Sequence, residues 1–329
     1  MNFSEFQDHR SRLLAEHSEL LDLAETNLYR ALARLKPTPP PEPEGRIHRC
    51  DLARQWAEFY GFSAVSSGRV LVSGGVRDAL GTVFRHLQGK ACRIWLPEDN
   101  YPVYHQLASE FGHEISAFTT LPEAEWPQAS APDDAKSEWM VVTHPMKPRG
   151  RALNTADVAA TKRWLECDPK RRLLIDAVYS LTSRFDGVTT DLLKTGQVWL
   201  LHSVTKGWLY PRTFGVAQIP EEDEAEWLPV FRDAPPSHES LVIAEYLLRA
   251  NKETPRQIAV ALGDAQRQMR DYLKGYDLQW MEIDTPGYLN PVLASYEELI
   301  AKGILGLPAA AFGSSRDDIS ILSSLHFAS

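Results

Sequence analysis

The sequence predicts an α/β protein: a large domain on a mostly parallel sheet with helices on both faces, joined to a smaller α+β domain. Three observations predict it. Over residues 70–219, short buried apolar runs alternate with helical spacing. Each run ends in a turn of glycine, proline or polar residues, as strands feeding crossover helices do. After Pro220 the alternation stops, and long helical patterns give way to a mixed segment.

In chain order, residues 5–36 carry leucines at helical spacing (Leu13, Leu14, Leu20, Leu21, Leu23, Leu28) and are expected as helix. The stretch 37–45, PTPPPEPEG, cannot be helix or central strand and marks a boundary or an arm against a partner subunit. Residues 51–60 form a short amphipathic helix ended by Gly61. VLVSGG is a strand and turn before a helix over about 76–88. A strand at 93–96 precedes a polar turn and a helix through Phe111. Strands follow at 114–119 and 138–143, then a helix over 155–166 capped by Asn154 or Thr155. Residues 172–176, 198–201 and 214–219 complete the set of strands. The acidic run EEDEAEW is expected as solvated surface. Helices cover roughly 238–275, strands 278–283 and 319–325, with a helix near 293–302. The expected division is an N-terminal arm and small-domain segment over 1–45, a large domain over 46–235 and a small domain over 236–329.

The chain has 329 residues, 43% hydrophobic and 24% charged, enough for a large core in one or two domains. A formal net charge of −9 argues against nucleic acid or anionic membrane as a partner. No run approaches the roughly 20 apolar residues of a membrane span, and the first residues lack an apolar signal core. Cys50, Cys92 and Cys167 are few and widely spaced. They point to a reducing, cytoplasmic setting, with neither a disulfide framework nor a metal site.

Chemistry concentrates at strand ends, which a parallel sheet brings to one edge. Ser73-Gly74-Gly75-Val76 puts paired glycines before a helix, exposing N–H groups where phosphate binds; a plain tight turn uses the same residues. Tyr101 can stack on an aromatic ligand or pack in the core. His144-Pro145-Met146-Lys147-Pro148-Arg149-Gly150 is a rigid loop that can hold Lys147 or His144 over a pocket, or simply expose basic residues. Asp176 ends a buried strand, and a carboxylate there needs a partner: a protonated ring nitrogen, a helix cap or an arginine. Lys206 follows a buried strand and His202-Ser203-Val204-Thr205. Partly desolvated, its amine becomes a nucleophile or base; taken alone, it reads as a solvated lysine.

In this order the loops resemble the class I/II aminotransferase family of fold type I pyridoxal 5′-phosphate (PLP) enzymes, from about Asp22 to Phe327. VLVSGGVRDAL looks like the family's phosphate-binding strand, turn and helix. PEDNYPVY is similar to P-x-x-Y-P-x-Y with one extra residue, and HPMKPRG to a degenerate N-P-x-N-P-T-G. DAVY and, thirty residues later, SVTK resemble D-x-A-Y and S-x-[ST]-K. Arg212 and Gly215 precede a strand, and LPAAAFG is similar to P-G-x-x-F-G. The resemblance implies that Lys206 would form the Schiff base with PLP and later move protons. Asp176 would keep the pyridine nitrogen protonated, and Tyr179 would bond the phenolic oxygen. Tyr101 would stack on the ring, while Gly75, Val76, Ser203 and Arg212 would hold the phosphate. It implies an aminotransferase acting on an amino acid or amine, as a homodimer with sites at the subunit interface.

Departures from the pattern narrow what the resemblance implies. Lys147 stands where the family has an asparagine at the phenolic oxygen, and Arg149 where it has threonine. Proline replaces the partner subunit's tyrosine in the stretch before Gly45. The C-terminal arginine that grips the substrate carboxylate has no counterpart in SSRDDISILSSL, where Arg316 comes too early. The carboxylate then falls to Lys147 or Arg149, or the substrate is not an ordinary α-amino acid. A second activity stays open on these grounds: a non-transaminating enzyme of the same fold (decarboxylase, lyase or β/γ-replacement enzyme, cyclase or oxidase-like) in specialised biosynthesis. A binding protein without catalysis would have no need of Lys206, Asp176 and Tyr179 together.

Overall fold

The computed structural model of the protein describes residues 2–38, 47–62, 69–128, 136–181, 185, 187–211 and 213–328. The first half contains α1 (Phe3–Glu16), β1 (Leu21–Asp22), α2 (Leu28–Ala31), α3 (Arg49–Tyr60), β2 (Val70–Ser73), α4 (Val76–Leu87), β3 (Cys92–Pro97), α5 (Val103–Glu110), β4 (Glu114–Phe118), β5 (Ser137–Thr143) and α6 (Thr155–Glu166). The second half contains β6 (Arg172–Asp176), α7 (Gly187–Leu193), β7 (Val198–Ser203), α8 (Val204–Gly207), β8 (Gly215–Gln218), α9 (Glu224–Arg232), α10 (His238–Ala250), α11 (Thr254–Tyr272), β9 (Leu289–Val292), α12 (Tyr296–Ala301), β10 (Ile304–Leu305), β11 (Leu307–Pro308) and β12 (Ser320–Ser323).

Seven strands form one sheet in the order β2-β8-β7-β6-β5-β3-β4. Neighbours from β7 to β4 pair in parallel, and β8 runs antiparallel to both β7 and β2. The apolar runs are continuous because both faces of the sheet are covered. Successive residues then serve opposite layers. Val142, Leu173 and Leu200 pack with Leu52 and Trp56 of α3, Trp164 of α6 and Leu247 of α10. Val141, Leu174 and Leu201 pack with Leu80 and Phe84 of α4, Leu107 of α5 and Trp227 of α9. Asn154 caps α6 in a reciprocal capping box with Asp157, and Gly61 ends α3 at φ 81°.

A three-stranded antiparallel sheet, β11-β12-β9, lies in the C-terminal part. The chain start forms a separate two-stranded sheet with this part: β1 pairs in parallel with β10, Leu21 opposite Ile304. This corrects the expected helix over 5–36. Helix α1 stops at Glu16, and Leu23 and Leu28 are buried beyond it; pairing with a distant strand overrides helical spacing. The acidic run is solvated at Glu221, Glu222 and Glu226, as expected, but not throughout. It forms a 3₁₀ turn and the start of α9, with Asp223 buried against Arg172 (2.8 Å) and the Trp199 indole (2.7 Å). The expected strand at 278–283 is a single bridge, Trp280 to Val292, and the strand proper is β9. The strand expected at 319–325 shortens to β12, followed by a 3₁₀ turn. Among the described residues no helix is long and apolar enough to cross a membrane.

Candidate active site

The sheet register assembles the site. Thr143 pairs with Asp176 across β5 and β6, and Ser73, Gly215 and Ser203 stand in one row across β2, β8 and β7. The residues after Thr143, Asp176, Ser73 and Ser203, and those before Gly215 on the antiparallel β8, therefore meet along one edge.

Asp176 is buried. Tyr104 of α5 donates its hydroxyl to Asp176 Oδ2 at 2.6 Å, and the Val178 N–H donates to Oδ1 at 3.0 Å. Burial pushes the carboxyl pKa up, while Tyr104, Val178 and Lys206 pull it back. The result is a dehydrated carboxylate in a fixed orientation.

Lys206 lies on α8, a single turn that begins at Ser203, whose Oγ accepts from the Thr205 N–H at 3.3 Å. Its Nζ stands 4.7 Å from the centre of the Tyr29 ring and 5.6 Å from that of Tyr179. Burial lowers its pKa to about 8, with Asp176 opposing the shift. Near neutrality this amine is partly free base, and so a nucleophile.

Lys147 reaches the same tyrosine from the loop after β5. Its N–H donates to Thr143 Oγ1 at 3.0 Å, the atom that also accepts from Asn100 at 3.2 Å. Its Nζ is buried with no hydrogen-bond partner, 5.1 Å from the centre of the Tyr179 ring and against Gly287. Burial lowers this amine also to about 8. The Tyr179 hydroxyl pairs with that of Tyr288 at 2.9 Å, and burial, then Tyr288, raise its pKa.

A second corner suits an anion. Gly75 adopts φ 141°, a conformation that side chains rarely take. A Cβ on Gly215 would stand 2.6 Å from the Gly75 Cα, so glycine there lets the turn settle onto the strand row. No side chain caps α4, which starts at Val76. The first N–H groups of that helix are therefore free to meet negative charge, with Thr205 and Ser203 alongside.

The structure thus brings together Gly75, Val76, Ser203 and Lys206, and groups Lys206 with Asp176, Tyr179 and Lys147. Tyr101 is 55% exposed and couples electrostatically to Tyr29, Tyr104 and Tyr288, so it stands at the rim. Arg212 and the stretch before Gly45 lie outside the described residues. His144 is buried and accepts from the Leu153 N–H at 3.3 Å. His202 turns into the core between Trp56 and Tyr60, each at 3.1 Å, and burial drops its pKa to about 3. Tyr104, Tyr29, Tyr288 and Gly287 are additions that residue reading did not single out. The signal for Tyr104 was its place three residues after Tyr101 in PEDNYPVY. For Tyr29, Tyr288 and Gly287 the sequence offers none.

A helix-flanked mixed seven-stranded sheet, with a half-buried lysine and a buried aspartate at its strand ends, has the fold type I architecture. The chain belongs to the class I and II aminotransferase family, whose model matches residues 45–214, just over half its length. It is 27% identical over 154 residues to histidinol-phosphate aminotransferase of Chlorobium limicola, covering 46% of this chain and 41% of that one. It is 28% identical over 152 residues to the S-alkyl-thiohydroximate lyase SUR1 of Arabidopsis thaliana, covering 43% and 32%. The chain thus spans less than half the length of either curated relative. In fold it is similar to the aspartate aminotransferase of Rhizobium meliloti, with TM-score 0.72 and 14% identity over 100% of this chain and 94% of that one. The class I and II aminotransferase family is generally PLP-dependent.

Proposed function

We propose that this enzyme holds PLP at Lys206 and transfers the amino group of an amino acid or amine to a keto acceptor. The observation that carries the reading is the buried, partly neutral Lys206 amine near a buried Asp176 that Tyr104 and Val178 fix in place. The residues fit the cofactor. An aspartate desolvated in this way calls for a cation, which a protonated pyridine nitrogen would provide. The glycine cradle at Gly75 and Gly215, with the uncapped start of α4, suits a phosphate.

Lys206 would hold the cofactor as a Schiff base. Gly75, Val76, Ser203 and, from the sequence, Arg212 would bind its phosphate, and Tyr101 would cover its ring. Tyr179 and Lys147 would bond its phenolic oxygen. When bound, PLP supplies an electron sink that stabilises a carbanion at the substrate carbon. Asp176 sustains that sink by keeping a proton on the ring nitrogen. Lys206 would act as the general base that takes the proton from the substrate Cα. The exposed Tyr101 at the rim supports a homodimer that covers it, and the free Cys50, Cys92 and Cys167 support a cytoplasmic setting.

A second reading, a lyase or other non-transaminating enzyme, is favoured by one observation. Arg316 is exposed and paired with Asp318 at 2.6 Å, and Arg149 gives its donors to Pro122, Glu282 and Glu123. Neither arginine is free to grip an α-carboxylate. The test is a panel of amino acids offered to the PLP-loaded enzyme without a keto acceptor. Transfer predicts one equivalent of keto acid per site, with the nitrogen retained by the protein. Repeated turnover releasing ammonia, carbon dioxide or a side-chain fragment would favour the second reading.

A further inference from the structure

The residues around Lys147 form a built receptor. The loop over 147–152 is tied to the segment over 282–285 by three hydrogen bonds. Arg149 Nη1 donates to the Glu282 carbonyl at 2.5 Å, the Ala152 N–H to Asp284 Oδ1 at 2.7 Å, and Thr285 Oγ1 to the Gly150 carbonyl at 3.0 Å. These ties bring Gly287 against the Lys147 amine. A Cβ at position 287 would fall on Nζ itself, so glycine keeps open the space in which the amine sits. Arg149 is thus a positioning residue for this loop. The amine it helps to place is buried, beside Tyr179, and has three N–H donors and no hydrogen-bond acceptor.

We propose that Lys147 receives the carboxylate of the substrate. On this proposal the enzyme takes amino acids whose acidic group is held by an ammonium ion from the loop after β5 rather than by a guanidinium from the C-terminal sheet. The inference rests on the cofactor site proposed above. A buried amine lacking an acceptor is costly to leave unpaired, and an incoming carboxylate removes that cost by supplying both charge and acceptor. One N–H serves the cofactor's phenolic oxygen and leaves two for the substrate. An ammonium ion is a compact point charge, so it fixes the acid group by charge and burial and not by the two parallel bonds of an arginine. Of the three cations the sequence offered for this task, Arg149 and Arg316 are engaged elsewhere and Lys147 is not.

The test is calorimetric titration of the PLP-loaded protein with propanoate, an unreactive monocarboxylate, in wild type, Lys147→Met and Gly287→Ala. Cofactor retention is read separately from absorbance after gel filtration. Gly287→Ala disturbs only the far end of a flexible side chain, so it keeps the test decisive if Lys147→Met does not fold. The expected result is that all three proteins retain the cofactor and that both variants bind propanoate about tenfold to hundredfold more weakly, the loss expected for hydrogen bonds to a charged group. Equal affinity in wild type and variants overturns the proposal and leaves the cofactor site standing, as does a loaded wild type that binds no propanoate. If Lys147→Met sheds the cofactor at saturating supply, Gly287→Ala decides: retained cofactor with wild-type affinity for propanoate overturns the proposal. A wild type that never loads cofactor defeats the earlier reading, and this proposal falls with it.

Discussion

Lys206→Ala lowers turnover by about 10⁴-fold or more, the upper end of what a positioned proton-transfer group contributes, with the covalent hold on the cofactor lost as well. Alanine leaves the fold intact, because the Lys206 amine is a desolvated group whose removal relieves burial of a charge. The sign of the pH effect follows from the direction of its shift. With the amine at about 8, the ammonium form prevails below that pH and the free base above it. The rate at which the cofactor-free enzyme captures PLP needs the free amine, so it rises about tenfold per pH unit below 8 and levels off above it. Lys147 carries a similar value, so the limb is assigned by comparison. It persists in Lys147→Met if it belongs to Lys206. The rate of PLP uptake over this range checks the limb and steady-state turnover checks the variant; an alanine variant that keeps a tenth of wild-type turnover would count against the assignment.

Asp176→Asn is the second large effect. Asparagine can accept from the Val178 N–H with its oxygen and donate its amide to the Tyr104 hydroxyl oxygen, so the geometry survives while the charge, and with it the hold on a proton at the ring nitrogen, does not. Removing one partner of a buried charge pair costs about 3–5 kcal/mol, which corresponds to roughly 10²–10⁴ in rate. Tyr104→Phe leaves the charge in place and costs only about tenfold. Stability separates function from folding. Burial raises the Asp176 carboxyl above its unfolded value, so the folded state binds more protons, and ionising it as pH rises past that range opposes folding. At neutral pH the cofactor-free Asn variant therefore has a urea midpoint equal to or above that of wild type. A loss of activity accompanied by a fall in that midpoint would point to structural damage instead.

The large sheet was legible because its strands are buried on both faces and punctuated by glycine, proline and polar turns. VLVS, RLLID and VWLLHS need no partner to be recognised as buried runs. The C-terminal strands were not legible in the same way. β9 contains Pro291, which argues against a strand in any local reading, and its neighbour Tyr288 went unnoticed with it. β1 is two residues long and hides within leucines at helical spacing. At the site, the strand-end residues Asp176, Ser203 and Lys206 were foreseen because a parallel sheet dictates their convergence. The partners that orient them were not, since Tyr104 lies 72 residues from Asp176 and Tyr288 lies 109 from Tyr179. Arg149 shows the limit most clearly. As a sequence it is a free cation in a basic loop, and only the positions of the Pro122 and Glu282 carbonyls show that its donors are already taken.

Two desolvated lysines with similar acidity face one tyrosine, so the sharpest question is which of them would carry the proposed cofactor. Borohydride reduction of the PLP-treated enzyme followed by peptide mass mapping answers it directly. The predicted result is a stable cofactor adduct on Lys206 and none on Lys147. An adduct on Lys147, or no adduct at saturating PLP, would contradict the assignment of Lys206 as the residue that holds the cofactor.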